Sequence, residues 1–203
     1  MPKLVDHEER RNQIALAVHR ILLRDGMEGA TVRAVVAEAG MSSGAIRHYF
    51  ATQDELLRFA ASQIEQRAGQ RAIEAYARTD RSPRARALGV LEEFLPLDDE
   101  RVMELKVSIA MARMDPALSR VQSYWSGIRR VCRTVVLLLA GVTSEVPVDR
   151  ALRPAQWERV AERLHLIVDG LAAQQMFYGD QSSATELRAA LARAVDDVRA
   201  EVG

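Results

Sequence analysis

Apolar residues recur every three or four positions along almost the whole chain, which is the period of an α-helix. Helix breakers divide this pattern: Gly26 with Gly29, Gly40, Thr79 to Pro83, Pro96 to Asp99, Asp115-Pro116, Gly141 to Pro154 and Gly179 to Ser183. About nine helices are predicted, near Asp6–Asp25, Thr31–Ala39, Ser42–Tyr49, Thr52–Arg78, Ser82–Phe94, Glu100–Met114, Pro116–Ala140, Pro154–Tyr178 and Ala184–Val202. The fold class is all-α. Up to Phe50 the helices are short and joined by tight turns; from Thr52 they are long, as in an antiparallel bundle. Two functional units are therefore expected, a three-helix unit over 1–51 and a bundle over 52–203.

Composition narrows the field. Of 203 residues 48% are hydrophobic and only 11 are Gly and 6 Pro, which excludes disordered and collagen-like chains. The single Cys132 has no partner for an intramolecular bridge, as suits a reducing compartment. The longest uncharged apolar run, Val135 to Val142, is too short for the ~20 residues of a membrane helix. The charged amino terminus has no apolar stretch behind it and does not read as a secretory signal, so a cytoplasmic protein is expected. With 28 basic and 28 acidic residues, overall charge points to no charged partner. Local placement has to supply that evidence.

It does so between residues 31 and 53. Thr31 is a good N-cap, Val32, Val35, Val36 and Ala39 form an apolar stripe, and Gly40 stands where a helix ends in a left-handed turn. Ser42 or Ser43 caps the next helix, on which Ala45, Ile46 and Phe50 face inward while Ser43, Arg47 and His48 face out. Helix, Gly-containing turn, helix is the helix-turn-helix arrangement, whose second helix enters the DNA major groove. From Met41 to Gln53 there is no acidic residue, and the exposed hydroxyls, guanidinium, imidazole and phenol are donors for phosphates and base edges. Arg33 reads equally well as a solvated charge, and Ser43 as a cap alone. Lys3, Arg10 and Arg11 alternate with Asp6, Glu8 and Glu9, which makes a poor basic arm.

The order Gly29-Ala-Thr31-Val-Arg33, Val35 to Gly40, Ser-x-Gly-x-Ile, then Tyr49-Phe50 and Asp54-Glu55-Leu56-Leu57 resembles the amino-terminal domain of TetR-family transcriptional regulators. The His-Tyr-Phe form of the recognition helix is most similar to the BetI-like, betaine-responsive subgroup. The resemblance covers roughly residues 10–57. It implies that Thr31 and Arg33 contact the phosphate backbone, that Ser43, Gly44, Arg47 and His48 lie in the groove, that Tyr49 reaches a flanking phosphate, and that Ser42 and Thr52 belong to the same DNA-binding set. Gly44 would matter by being small. The family commonly has Lys where this chain has Gln53, which removes one cationic phosphate contact and makes salt dependence shallower by about one unit of slope.

In the bundle, helix 154–178 carries two apolar stripes. Trp157, Val160, Ala161, Leu164, Val168, Leu171 and Ala172 make one, and Leu166, Gly170, Ala173 and Phe177 lie nearly opposite. A helix covered on two sides can face its own domain and a second subunit. The last helix presents Leu187, Leu191 and Val195, and the two helices with their symmetry mates would form an intermolecular four-helix bundle. A single monomeric bundle is the alternative. The sixth helix is apolar nearly all round, and Met103, Val107 and Met111, with Trp125, Ile128 and Cys132 of the next helix and His165, are candidates for a small-molecule pocket. A filled core is the alternative for each.

No metal, cofactor or catalytic motif emerges. The four histidines form no His-Glu-x-x-His, there is no Gly-x-Ser-x-Gly or phosphate loop, and His165 with Asp169 lacks a third ligand. The resemblance implies a non-enzymatic homodimer that binds a pseudo-palindromic double-stranded operator as a repressor and is released by a small-molecule effector. The alternative is a ligand-binding or catalytic helical bundle without specific DNA binding.

Overall fold

A computed structural model describes residues 3–114, 119–142, 148, 150–178 and 183–203, and the side chains of these except 3–6, 8, 111–114 and 119–126. Among the described residues there are nine helices and no strand. They are α1 (Lys3–Gly29), α2 (Val32–Ala39), α3 (Ser43–Tyr49), α4 (Gln53–Ala77), α5 (Pro83–Glu92), α6 (Asp99–Met114), α7 (Ser119–Leu139), α8 (Ala155–Tyr178) and α9 (Ala184–Val202). The expected first helix ended at Asp25, whereas α1 resumes past a kink at Gly26, whose φ of 70° and ψ of −170° only glycine adopts readily.

The chain forms two compact units. One comprises residues 1–66 and 103–114, the other 67–102 and 115–203, so α4 and α6 each contribute to both. In the amino-terminal unit α2 packs on α1 and α3 on α2. Its core is Ile14, Val18 and Ile21 of α1, Val35, Ile46, Phe50, Leu56, Leu57 and Ile64, closed by Met103 and Val107 of α6. Each such side chain contributes about 1.5–3 kcal/mol by leaving water. On the outside, the Glu38 carboxylate accepts from Arg20 Nε at 2.7 Å and Arg24 Nη1 at 3.1 Å, tying α2 to α1.

In the carboxy-terminal unit α7 packs on α5, α8 and α9, and α9 also on α5 and α8. Val135, Val136, Leu164, Leu191 and Val195 are wholly buried there. Glu158, in the first turn of α8, accepts from Arg133 Nη2 at 2.6 Å, from Arg129 Nη2 at 3.1 Å and from the Leu152 backbone N–H at 2.9 Å. It fixes α8 to α7 and to the segment that precedes α8. The α9 start is a capping box in which Glu186 N–H donates to Ser183 Oγ and Ser183 N–H to the Glu186 carboxylate.

One expectation needs correction. Leu187, Leu191 and Val195 are between 0% and 2% exposed within the single chain, so they belong to the core of their own unit and present nothing to a second subunit. Helical periodicity marks a covered face but not what covers it. On α8 the division is different: Val160, Ala161, Leu164, Val168 and Ala172 are buried, while Leu166 and Phe177 are 71% and 75% exposed. Gly170 and Ala173 share that open side.

Candidate nucleic-acid interface

Three hydroxyls set the ends of the helices around α3. Thr31 Oγ1 accepts from Ala34 N–H at 3.2 Å, Ser42 Oγ from Ala45 N–H at 3.1 Å and Thr52 Oγ1 from Glu55 N–H at 3.1 Å. Ser42 is thus the cap of α3, and Ser43 is left exposed as the first residue of the helix. Each capping hydroxyl keeps its own proton for donation to a phosphate. Gly40 ends α2 with φ +63°, the left-handed conformation that turns the chain toward α3.

Gln53 stands where a cationic phosphate ligand was expected to be missing. Its side-chain amide donates to the Ala30 carbonyl at 3.0 Å, so it braces α4 against the α1–α2 link. Glu55 completes that corner by accepting from Ala51 N–H at 3.0 Å.

Along α3, Ser43, Gly44, Arg47 and His48 are exposed, Ile46 is buried, and Tyr49 is half-buried. A Cβ added at Gly44 would meet only Ser42 Oγ, at 3.9 Å, so nothing among the described residues requires glycine there. Arg33 and Arg47 make no ion pair among the described residues, in contrast to Arg20 and Arg24, which Glu38 and Asp25 engage. The Glu38 carboxyl is held below its ordinary range by those two arginines, Arg20 foremost. Basic charge on α1 is in this way spent inside the unit, and that on α2 and α3 is left outward. The His48 and Tyr49 rings lie 5.3 Å apart, and His7 of α1 packs on Tyr49 at 4.6 Å.

The candidate ligand-pocket residues divide. Met103 and Val107 are buried in the core of the amino-terminal unit. Ile128, Cys132 and His165 belong to the carboxy-terminal unit, where Ile128 and Cys132 are buried and His165 is half-buried. The side chains of Met111 and Trp125 lie outside the described residues. His165 Nε2 is 3.3 Å from Asp169 Oδ2. Burial pushes the Asp169 carboxyl up to about 6, and burial, with the charge of Arg129, pushes His165 down. Burial, reinforced by Asp169, pushes the Cys132 thiol up, so it stays protonated and unreactive at neutral pH.

Comparison with known proteins agrees with this geometry over both units. Residues 16–59 match the family model of tetR-family bacterial regulatory proteins, and residues 83–200 match that of the carboxy-terminal domain of BetI-type transcriptional repressors. The chain belongs to the TetR family. The TetR-family assignment rests equally on relatives. The HTH-type transcriptional regulator PksA of Bacillus subtilis (strain 168) is 38% identical over 181 residues, covering 87% of this chain and 83% of PksA. The regulator BetI of Burkholderia thailandensis is 28% identical over 176 residues, 84% of each chain. In fold, the chain is similar to a transcriptional regulator from Saccharomonospora viridis solved in complex with choline, with a TM-score of 0.74 at 19% identity over 93% of this chain and 96% of that one. As a TetR-family member the protein is a ligand-responsive, dimeric, DNA-binding transcriptional regulator and not an enzyme. Among the described residues no helix is long and apolar enough to cross a membrane.

Proposed function

We propose that the protein represses transcription from a pseudo-palindromic operator in the cytoplasm and releases it when a small effector binds. Arg47 and His48 read base edges in the major groove, with Ser43 beside them and Gly44 allowing close approach. Thr31, Arg33, Ser42, Tyr49 and Thr52 hold phosphates on either side. The observation that carries this reading is the outward Arg47 on α3, free of any ion pair among the described residues, one turn from a glycine that the fold does not need.

Residues 1–51 serve DNA binding and 52–203 serve effector binding and dimerisation. The open α8 stripe Leu166, Gly170, Ala173 and Phe177 supports a two-fold contact there. The effector pocket lies in the carboxy-terminal unit near Ile128, Cys132 and His165. The choline held by the Saccharomonospora viridis regulator makes small quaternary ammonium compounds the first effectors to test. Because α4 and α6 belong to both units, effector binding alters the DNA-reading spacing through them, and linkage requires DNA to weaken effector binding equally.

The test is Arg47→Ala. Losing a bidentate base contact costs about 1–3 kcal/mol per site, tenfold or more in affinity for the selected operator, with the melting temperature unchanged. Equal binding of wild type and variant to operator and random duplex alike would remove the assignment.

A further inference from the structure

His7 and Arg11 are one helical turn apart and so lie on one face of α1, and both meet the end of α3. The His7 ring is 4.6 Å from that of Tyr49 and 6.1 Å from that of His48. The Arg11 guanidinium carbon lies 5.1 Å from the Phe50 ring centre and 4.5 Å from that of Phe59 on α4, and those two rings are themselves 5.3 Å apart. Phe50 is the buried C-cap of α3. Arg11 Nε is buried with no hydrogen-bond acceptor among the described residues. This arginine is therefore held by ring faces, and it is spent on the protein.

We propose that Arg11, assisted by His7, is a positioning residue that fixes the end of the recognition helix against α1 and α4, and that it does not contact DNA. The recognition helix has few internal hydrogen bonds of its own, since it spans only Ser43–Tyr49, and its direction depends on what grips its last turn. Three consecutive aromatic residues, His48, Tyr49 and Phe50, form that grip point. A planar guanidinium covers two ring faces at once, and the compact ammonium of a lysine does not.

The inference rests on α3 facing DNA, and the experiment separates the two claims. Arg11→Lys, Arg11→Met and Arg47→Ala are measured by fluorescence anisotropy on the duplex that wild-type protein enriches from a random-sequence pool, with a scrambled duplex beside it and a salt series for each. A positioning role weakens binding to the selected duplex by about fivefold or more in both Arg11 variants, leaves the scrambled duplex unaffected, and keeps the salt slope of the wild type. Arg11→Lys keeps the charge, so it answers the question even if Arg11→Met fails to fold. Wild-type affinity in Arg11→Lys, with a slope smaller by about two in Arg11→Met, one for each subunit, makes Arg11 a phosphate ligand and overturns the proposal. Wild-type affinity in both variants, or parallel loss on both duplexes, also overturns it. If Arg47→Ala binds normally, the DNA-facing assignment of α3 falls and the positioning role falls with it; if Arg47→Ala is impaired and both Arg11 variants are normal, only the positioning role is lost.

Discussion

Gly44 separates what the fold needs from what DNA needs. It is exposed, it lies in the first turn of α3, and a Cβ there would find open space apart from Ser42 Oγ at 3.9 Å. Alanine in a helix is favoured over glycine by about 0.5–1 kcal/mol. Gly44→Ala is therefore expected to unfold at a slightly higher temperature than the wild type. The same methyl is expected to hold α3 away from the base edges, and losing one good bidentate contact costs about 1–3 kcal/mol, roughly a fivefold to 150-fold drop in operator affinity. Calorimetry and a binding titration on one preparation check both signs. A variant that is more stable and still binds the operator normally would show that no base approaches this position. Arg11 teaches the converse at the same scale. In the sequence it sits among acids and looks like a weak surface charge, and only the tertiary approach of Phe50 and Phe59 gives it a function.

At the level of elements, Glu158 shows how one carboxylate joins two helices. Arg133, then the Leu152 amide and Arg129, hold its carboxyl down at about 2 from an ordinary 4.5. A depressed carboxyl contributes stability that is fully present above its unfolded value and disappears as pH falls toward its folded one. Glu158→Gln keeps the shape and removes the charge. It is expected to cost about 2 kcal/mol in urea unfolding at pH 7, the scale of hydrogen bonds to charged groups. The deficit should narrow as pH is lowered from 5 to 3, and a deficit of constant size would mean that the charge is not its source. Elements of this kind were legible in the sequence where the signal is local. Thr31 and Ser42 mark their helix starts by their hydroxyls, Gly40 marks a helix end by its freedom to take a positive φ, and α9 begins and ends where expected. Arg133 and Glu158 were not legible as a pair, because their partnership spans the α7–α8 connection. Leu187, Leu191 and Val195 misled for a related reason: an apolar row is the same whether its own domain or a partner buries it, and here their own domain does. Met103 and Val107 likewise read as pocket-lining residues but close the core of the amino-terminal unit, a distribution set by long-range packing.

For the whole molecule, DNA binding and dimerisation are one property, and α8 is where to separate them. Leu166 and Phe177 are 71% and 75% exposed and, with Gly170 and Ala173, form a stripe on the side of α8 that its own unit leaves uncovered. Space beside Gly170 is open, since an added Cβ there meets nothing within 4 Å, so a second helix can come close. Replacing Leu166 and Phe177 together by Asp puts two charges on each side of a self-complementary contact, so that four like charges are brought together. Burying them would cost far more than the exposed monomer does. The variant is expected to sediment as a monomer at concentrations where the wild type is a dimer, with its far-ultraviolet helix signal kept, because the buried face of α8 is untouched. The operator consequence follows from geometry. Two recognition helices about 34–36 Å apart read adjacent half-sites, and tethering raises the effective concentration of the second by a factor that lifts affinity about 10²–10⁴-fold. A protein with 28 basic and 28 acidic residues has little nonspecific attraction to fall back on, so the monomer should lose nearly all of that factor on the full operator and almost none on a single half-site. If the double variant remains a dimer, the interface does not depend on this stripe; if it is a monomer that still binds the full operator as tightly as the wild type, the paired half-site account fails.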